Sequence, residues 1–393
     1  MAIGGHAPIE RSSLERSLAP FGHSFTLPAE AYTSPEVFAW EAANFFEQTW
    51  VCVGRSVDLA ASGDRKAVRV GSEGVLLVRD TSGELRAFFN VCRHRGHELL
   101  AEGACVSGGV IKCPYHAWVY GLDGSLKGAP HFGDRPGFDR ADYPLQPVGV
   151  ADWHGWVFVN PTGRGPSFAE HVGNLGDFIA PYETERLVSA KRHDYVIHSN
   201  WKIIVENYHE CYHCPQIHPE LCQVTPPDSG FNMVATGAWA GGTMELMDHA
   251  ETMSLTGESF GVPLRGLDVE QRRQVLYFGY FNLLISPHPD YVMTHRIEPL
   301  SASASRIECE WLFAPEAIEK QGFDPSYASD FWDITNKQDW SACEAVQRGI
   351  SSRGYRQGPL AGAEDAVYDF ITMVARGYLG ESLEHAPGRV PAS

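Results

Sequence analysis

Positive charge is scarce in this chain: 31 Lys and Arg stand against 49 Asp and Glu, a formal net charge of −18. A duplex-binding protein needs clustered cations to displace counterions, so nucleic acid is not an expected partner. An anionic membrane surface is disfavoured for the same reason. Long apolar runs are missing as well. The longest, such as 74–78 and 281–285, fall far short of the roughly 20 residues a membrane span needs. The opening stretch MAIGGHAPIERSSLERS has no basic-then-apolar leader. Nine cysteines are an odd number and cannot form a complete disulfide framework. Without a leader they are expected to be reduced thiols of a cytoplasmic protein. Internal repeats and low-complexity blocks are also lacking.

What is present is an ordinary globular balance, 44% hydrophobic and 20% charged, over 393 residues. That length exceeds what one hydrophobic core usually carries. Three regions are expected. Residues 1–50 form an arm and a helix that starts at Ser34-Pro35-Glu36, an N-cap hydroxyl followed by Pro at the first helical position. Residues 51–160 form a small all-β domain, because VCVGR, GVLLVRD, LRAFFNV and GWVFVN are short β-like runs separated by turn pieces. In 161–393, β-like runs at 231–247, 275–285, 291–298 and 306–314 accompany helical stretches at 325–350 and 363–380. Strands that are not interleaved with crossover helices predict an α+β fold with an antiparallel sheet.

Two constellations carry chemistry. The first lies in loops of the all-β region: Cys92 with His94, and Cys113 with His116, eighteen residues separating the pairs. Two thiolates and two imidazoles close a tetrahedral zinc site, or bind a [2Fe–2S] cluster with two His on one iron. Gly96, Gly108 and Gly109 allow close backbone approach, Pro114 stiffens the second loop, and Arg93 and Arg95 offset a cluster's negative charge. The second constellation is NWKIIVENYHECYHCPQIHPEL, residues 200–221. His213 and His218 are five apart with Pro215 between them, which predicts one His closing a helix and the other in the turn beyond. Two His and a carboxylate make the facial triad of non-heme iron oxygenases; a structural His cluster at a helix end is the plainer alternative. Cys211 and Cys214 read as small buried residues.

At CRHRG and CPYH the chain resembles the Rieske proteins, with Ala117 standing where that family usually has Gly. With the second constellation included, it resembles the α-subunits of Rieske non-heme iron oxygenases from about residue 35 to 380. The resemblance implies an α+β protein: a small all-β Rieske domain and an antiparallel-sheet helix-grip catalytic domain. It implies that Cys92 and Cys113 hold one iron of a [2Fe–2S] cluster, and His94 and His116 the other. It places a mononuclear Fe(II) on His213, His218 and a later Asp, best matched by Asp339 in KQDWSACEAVQRG, with Asp333, Asp330 and Asp365 as runners-up. Glu210 matches the carboxylate that bridges to a neighbouring subunit's cluster, and Asn207 an Asn near the iron. The partners implied are O2, an NAD(P)H-dependent flavin or iron–sulfur reductase or a ferredoxin, and two further copies in a homotrimer with intersubunit electron transfer.

Glu rather than Asp at position 210 resembles the branch that oxidises quaternary ammonium compounds, by hydroxylating a C–H next to nitrogen and releasing formaldehyde from an N-methyl group. An aromatic-ring dioxygenase or an O-demethylase is the alternative within the family, and an electron carrier with a ligand-binding domain the alternative outside it. A pocket for such a cation would use aromatic faces, with Trp239, Tyr277, Phe278, Tyr280, Phe281, Tyr291 and Trp311 as candidates. The segment 237–263 is expected to flank it.

Overall fold

The computed structural model describes residues 5–133 and 135–385. The chain divides into two compact units, one of residues 41–166 and the other of residues up to Trp40 together with 167 onward. The division therefore falls within the helical stretch that begins at Pro35 and ends near Phe46. The expected boundary at residue 50 lay some residues later.

The smaller unit is all-β. A seven-stranded sheet has the order β1-β10-β9-β4-β3-β2-β5, with β1 Val51–Arg55, β2 Arg65–Val70, β3 Glu73–Arg79, β4 Leu85–Phe89, β5 Cys105–Val106, β9 Pro147–Trp153 and β10 Trp156–Asn160. A three-stranded sheet joins β6 Ile111–Lys112, β7 Val119–Tyr120 and β8 Leu126–Gly128. Val75, Leu76, Leu77 and Val78 of β3 are all buried, a continuous apolar run suited to a strand covered on both faces. Around Trp118, the side chains of Leu76, Phe88, Ile111, Tyr120 and Leu145 form a core that also encloses Cys92 and Cys113.

The larger unit is built on a seven-stranded antiparallel sheet of order β11-β17-β16-β15-β14-β13-β12. Its strands are β11 Val188–Ile197, β12 Phe231–Asn232, β13 Trp239–Glu245, β14 Gln274–Tyr280, β15 Leu283–Pro287, β16 Tyr291–Ser301 and β17 Ala304–Phe313. The helix Ser326–Ile350 is stapled to this sheet by polar contacts. Trp332 Nε1 donates to Tyr291 Oη at 2.8 Å, and His295 Nε2 meets Asn336 Oδ1 at 2.9 Å. The fold is α+β.

Of the stretch 237–263, the part beyond β13 is tied down by one buried carboxylate. Asp290 accepts from Thr252 Oγ1 at 2.6 Å, from Ser259 Oγ at 2.5 Å and from Tyr327 Oη at 2.5 Å. Met244 and Met253 from this stretch line the cavity described below.

Candidate metal centres and the catalytic cavity

The loops 92–97 and 113–118 are built alike. In the first, Gly96 N donates to Cys92 O at 3.0 Å and Cys92 N to His97 O at 2.8 Å. In the second, Ala117 N donates to Cys113 O at 3.1 Å and Cys113 N to Trp118 O at 2.8 Å. Each turn closes through one residue in the left-handed region, Gly96 at φ 71° and Ala117 at φ 59°. The matched turns set Cys92 against Cys113 in the core, each 2% exposed. They bring the half-buried rings of His94 and His116 to 4.7 Å between centroids, with His94 stacked on Trp118 at 4.9 Å. Tyr120 Oη lies 3.3 Å from Cys92 Sγ and accepts from Arg93 N at 3.0 Å. Burial pushes the Cys92 thiol up, so a thiolate there calls for a positive charge against it. Two paired sulfurs and two paired imidazoles fit a [2Fe–2S] cluster with mixed ligands.

In the larger unit, Asn200 caps the helix Trp201–Tyr208 by accepting from Lys202 N at 3.0 Å. The chain then turns through Glu210 into the four-residue helix Cys214–Ile217. His213 is the residue before this helix and His218 the residue after it. One His, His218, does close a helix, but the other stands before that helix and not in a turn beyond it. Pro215 lies in the first turn, where its missing N–H costs nothing, and so begins a helix instead of breaking one. The same turn brings the Cα atoms of Cys211 and Cys214 to 4.9 Å, and the two are joined as a disulfide. The expectation of reduced thiols throughout is corrected at this pair; Cys214 is buried as anticipated.

His213, His218 and Asp339 converge, their ligand atoms all within 4.8 Å of one another. The two Nε2 atoms are 3.2 Å apart, and Asp339 Oδ1 lies 2.9 Å from that of His218 and 3.5 Å from that of His213. Each ring's other nitrogen is taken. His213 Nδ1 lies 2.5 Å from Glu210 Oε1, and His218 Nδ1 lies 2.7 Å from Gln338 Oε1. Both acceptors require a proton on Nδ1, so both Nε2 atoms point lone pairs into the same space, beside a carboxylate oxygen. Such an arrangement is repulsive until a positive charge sits in it, a proton when no metal is bound, and it fits an iron held by two His and one carboxylate that displaces that proton. Burial opposes a charge on His213, but the carboxylates of Asp339 and Glu210 outweigh it and raise the imidazole to about 9. Burial raises Asp339 in turn, and the two imidazoles hold it below the usual carboxylate range.

The runners-up for the carboxylate are occupied elsewhere or stand apart. Asp333 accepts from Tyr195 Oη at 2.6 Å and pairs with Lys337 at 2.5 Å. Asp330 is exposed, and Asp365 lines the cavity without joining the convergent group. Gln338 had no role in the sequence reading, although it stands next to Asp339. Its side-chain nitrogen donates to Glu220 Oε2 at 3.2 Å, which fixes the amide so that its oxygen faces His218.

The convergent group opens into a cavity of about 610 Å³, with Asn207 and Glu210 on its wall. Of the aromatic candidates only Tyr277 lines it; Trp239, Phe278, Tyr280, Phe281, Tyr291 and Trp311 are buried at 1% exposure or less in the core. Strand alternation turns Trp239, Phe278 and Tyr280 to the face opposite Tyr277. Tyr291 and Trp311 share the face of Tyr277, but on strands further along the sheet, where Trp332 caps Tyr291. Tyr208, Trp332 and Phe231 line the cavity unanticipated.

Two family models match the chain: Rieske [2Fe–2S] domain over residues 49–139, and ring hydroxylating alpha subunit (catalytic domain) over 184–380. The glycine betaine monooxygenase oxygenase subunit of Chromohalobacter salexigens is 32% identical, covering 89% of this chain and 86% of that protein. The carnitine monooxygenase oxygenase subunit of Escherichia coli is 30% identical, covering 85% and 86%. Among solved structures, the quaternary ammonium Rieske monooxygenase CntA in complex with L-carnitine superposes with a TM-score of 0.76 at 25% identity, covering 94% of this chain and 99% of that one. The naphthalene 1,2-dioxygenase from a Rhodococcus species, at 19% identity and a TM-score of 0.76, shares the fold, covering 95% and 98%. The chain belongs to the ring-hydroxylating oxygenase α-subunit family, oxidoreductases that join a Rieske [2Fe–2S] cluster to a mononuclear iron.

Proposed function

We propose that this protein is the terminal oxygenase of a quaternary-amine monooxygenase, hydroxylating a C–H beside the substrate nitrogen. Cys92, His94, Cys113 and His116 hold the cluster; His213, His218 and Asp339 hold the iron. When bound, the two metal groups supply one-electron transfer and O2 activation. The chain's own contribution is positional. Glu210 and Gln338 keep the Nδ1 protons in place, so that both imidazoles present Nε2. Asn207 stands on the cavity wall beside them.

The observation that carries this reading is the convergence of His213, His218 and Asp339 at the floor of an aromatic-lined cavity. A quaternary ammonium donates no hydrogen bond and is held by aromatic faces, which Tyr208, Tyr277 and Trp332 supply. The glycine betaine and carnitine monooxygenase relatives support the same substrate class. Electrons come from NAD(P)H through a separate flavin or iron–sulfur reductase. The working assembly is a homotrimer in the cytoplasm, in which Glu210 faces the cluster of a neighbouring subunit.

The test is a substrate screen with a surrogate reductase, following NADH-dependent formaldehyde release. Trimethylammonium compounds should release it. Hydroxylated product from an aromatic acid, with neither formaldehyde nor a tertiary amine from any quaternary amine, would overturn the assignment.

A further inference from the structure

Outside the metal-binding group, the charge lining the cavity has one sign. Beyond the convergent group and Glu210, its charged lining residues are Asp228 and Asp365, and no Lys or Arg is among the described residues that line it. Nor do the other histidines on its wall supply a cation. Burial drives His288 down to about 3 and His209 to about 4, so both are neutral near pH 7.

Beside this acidic wall lies an aromatic corner. Tyr208 and Tyr277 meet edge to face with centroids 6.4 Å apart. Their hydroxyls are tied down: Tyr208 Oη donates to Ile285 O at 2.9 Å, and Tyr277 Oη to Asn232 Oδ1 at 3.0 Å. A ligand therefore meets these rings by their carbon faces, the part of a Tyr that attracts a cation. Asp365, half-buried at the start of the helix Asp365–Tyr378, lines the same cavity. It is near enough to Tyr277 to add to the effect of burial in raising that phenol.

We infer that Asp365, with Asp228 also on the cavity wall, reads the net charge of the substrate: the site takes quaternary ammonium cations that carry no carboxylate, such as alcohols, esters or alkyl chains, over zwitterionic betaines. This rests on the quaternary-amine reading above and narrows it. A cation gains both the aromatic corner and the Asp365 carboxylate. Away from the iron site, a betaine brings its own carboxylate into a cavity that offers it two like charges and, among the described residues, no Lys or Arg; a desolvated anion without a partner is costly. Discrimination then comes from repulsion as much as from attraction. The plainer role for Asp365 is a favourable charge in the first turn of a helix, and the test separates the two.

The probe is a matched pair, γ-butyrobetaine and its methyl ester, which share a skeleton and differ in the carboxylate. Binding to the intact holoenzyme is measured anaerobically by calorimetry, and kcat/KM with a surrogate reductase by the amine released. That amine accompanies formaldehyde when an N-methyl is attacked and a chain aldehyde when the methylene beside nitrogen is. The ester should be favoured by at least about tenfold in both. Asp365→Asn, which keeps the side chain's size at the first helical position and removes its charge, should bring the ratio below about threefold, mainly by weakening the ester. Equal or better handling of the betaine overturns the charge inference and leaves the quaternary-amine reading standing. So does an unchanged ratio in Asp365→Asn, even if its melting temperature falls, because a structural role alone moves stability and not the ratio. If neither compound binds or is oxidised while an aromatic acid is, both readings fall together.

Discussion

Gln338 and His218 are joined by a 2.7 Å hydrogen bond between the amide oxygen and Nδ1, across 120 residues of chain. Gln338 thereby does for His218 what Glu210 does for His213. Partners of this kind orient a ligand ring and raise its basicity. Gln338→Leu, which keeps the bulk and loses the acceptor, should weaken iron binding about 10- to 100-fold. Iron per chain after dialysis against a mild chelator measures this, with the visible absorbance of the cluster as an internal control. Wild-type iron retention would show that Gln338 merely packs there.

The second prediction concerns Ala117. Its φ of 59° repeats that of Gly96 in the twin loop, but with a Cβ that the left-handed region disfavours. Relief of that strain exceeds the extra freedom that Gly brings to the unfolded chain. Ala117→Gly should therefore stabilise the smaller unit by roughly 0.5–1 kcal/mol. Slower bleaching of the cluster in denaturant is the readout. Faster bleaching would mean that the methyl group packs usefully.

How much of this was legible in the residues follows from what each feature depends on. The strand Val51–Arg55 and the helix Ser326–Ile350 announce themselves through local pattern. The metal ligands do so through side-chain type and spacing. The strand Val188–Ile197 does not: it is an edge of its sheet, largely solvent-facing, and its central Lys191, Arg192, His193 and Asp194 hide the alternation. Gln338 was invisible because a glutamine has no ligand signature of its own; its role arises from the packing of distant segments. Likewise Tyr277 and Phe278 look equivalent in sequence. Only the register of the sheet tells which one meets the cavity.

A third prediction comes from buried histidines. Burial holds His288 at about 3, and His209 and His295 at about 4. In the unfolded chain each titrates near 6.5. Between those values the unfolded state binds more protons, so stability is fully present above about pH 6.5 and falls as the medium is acidified. Each residue contributes a slope of about 1.4 kcal/mol per pH unit in that window. Replacing any one of the three with Gln should lower the proton uptake on unfolding at pH 5.5 by about one. That difference leaves the opposing release from the buried carboxyls of Glu206 and Asp290 unchanged. An uptake that the substitutions leave unchanged would show that these imidazoles are already charged in the folded protein.

Glu210 gives the last prediction. It spends both oxygens on one residue, Oε1 on His213 Nδ1 at 2.5 Å and Oε2 on the His213 backbone N–H at 3.1 Å. Glu210→Gln keeps one acceptor and turns the other into a donor facing a donor, while removing the charge. The smaller unit is untouched by the change, so the cluster should remain at full occupancy. Turnover should fall by about 10- to 100-fold, because the ring of His213 is no longer held in one tautomer. Stopped-flow reoxidation of the reduced cluster distinguishes two causes. Slowed reoxidation with normal iron content would place the defect in electron transfer, as a bridging carboxylate requires; normal reoxidation with reduced iron would place it in His213 alone. Wild-type turnover with full iron would reduce Glu210 to a solvent-facing carboxylate beside the site, and the bridging role would have to be abandoned.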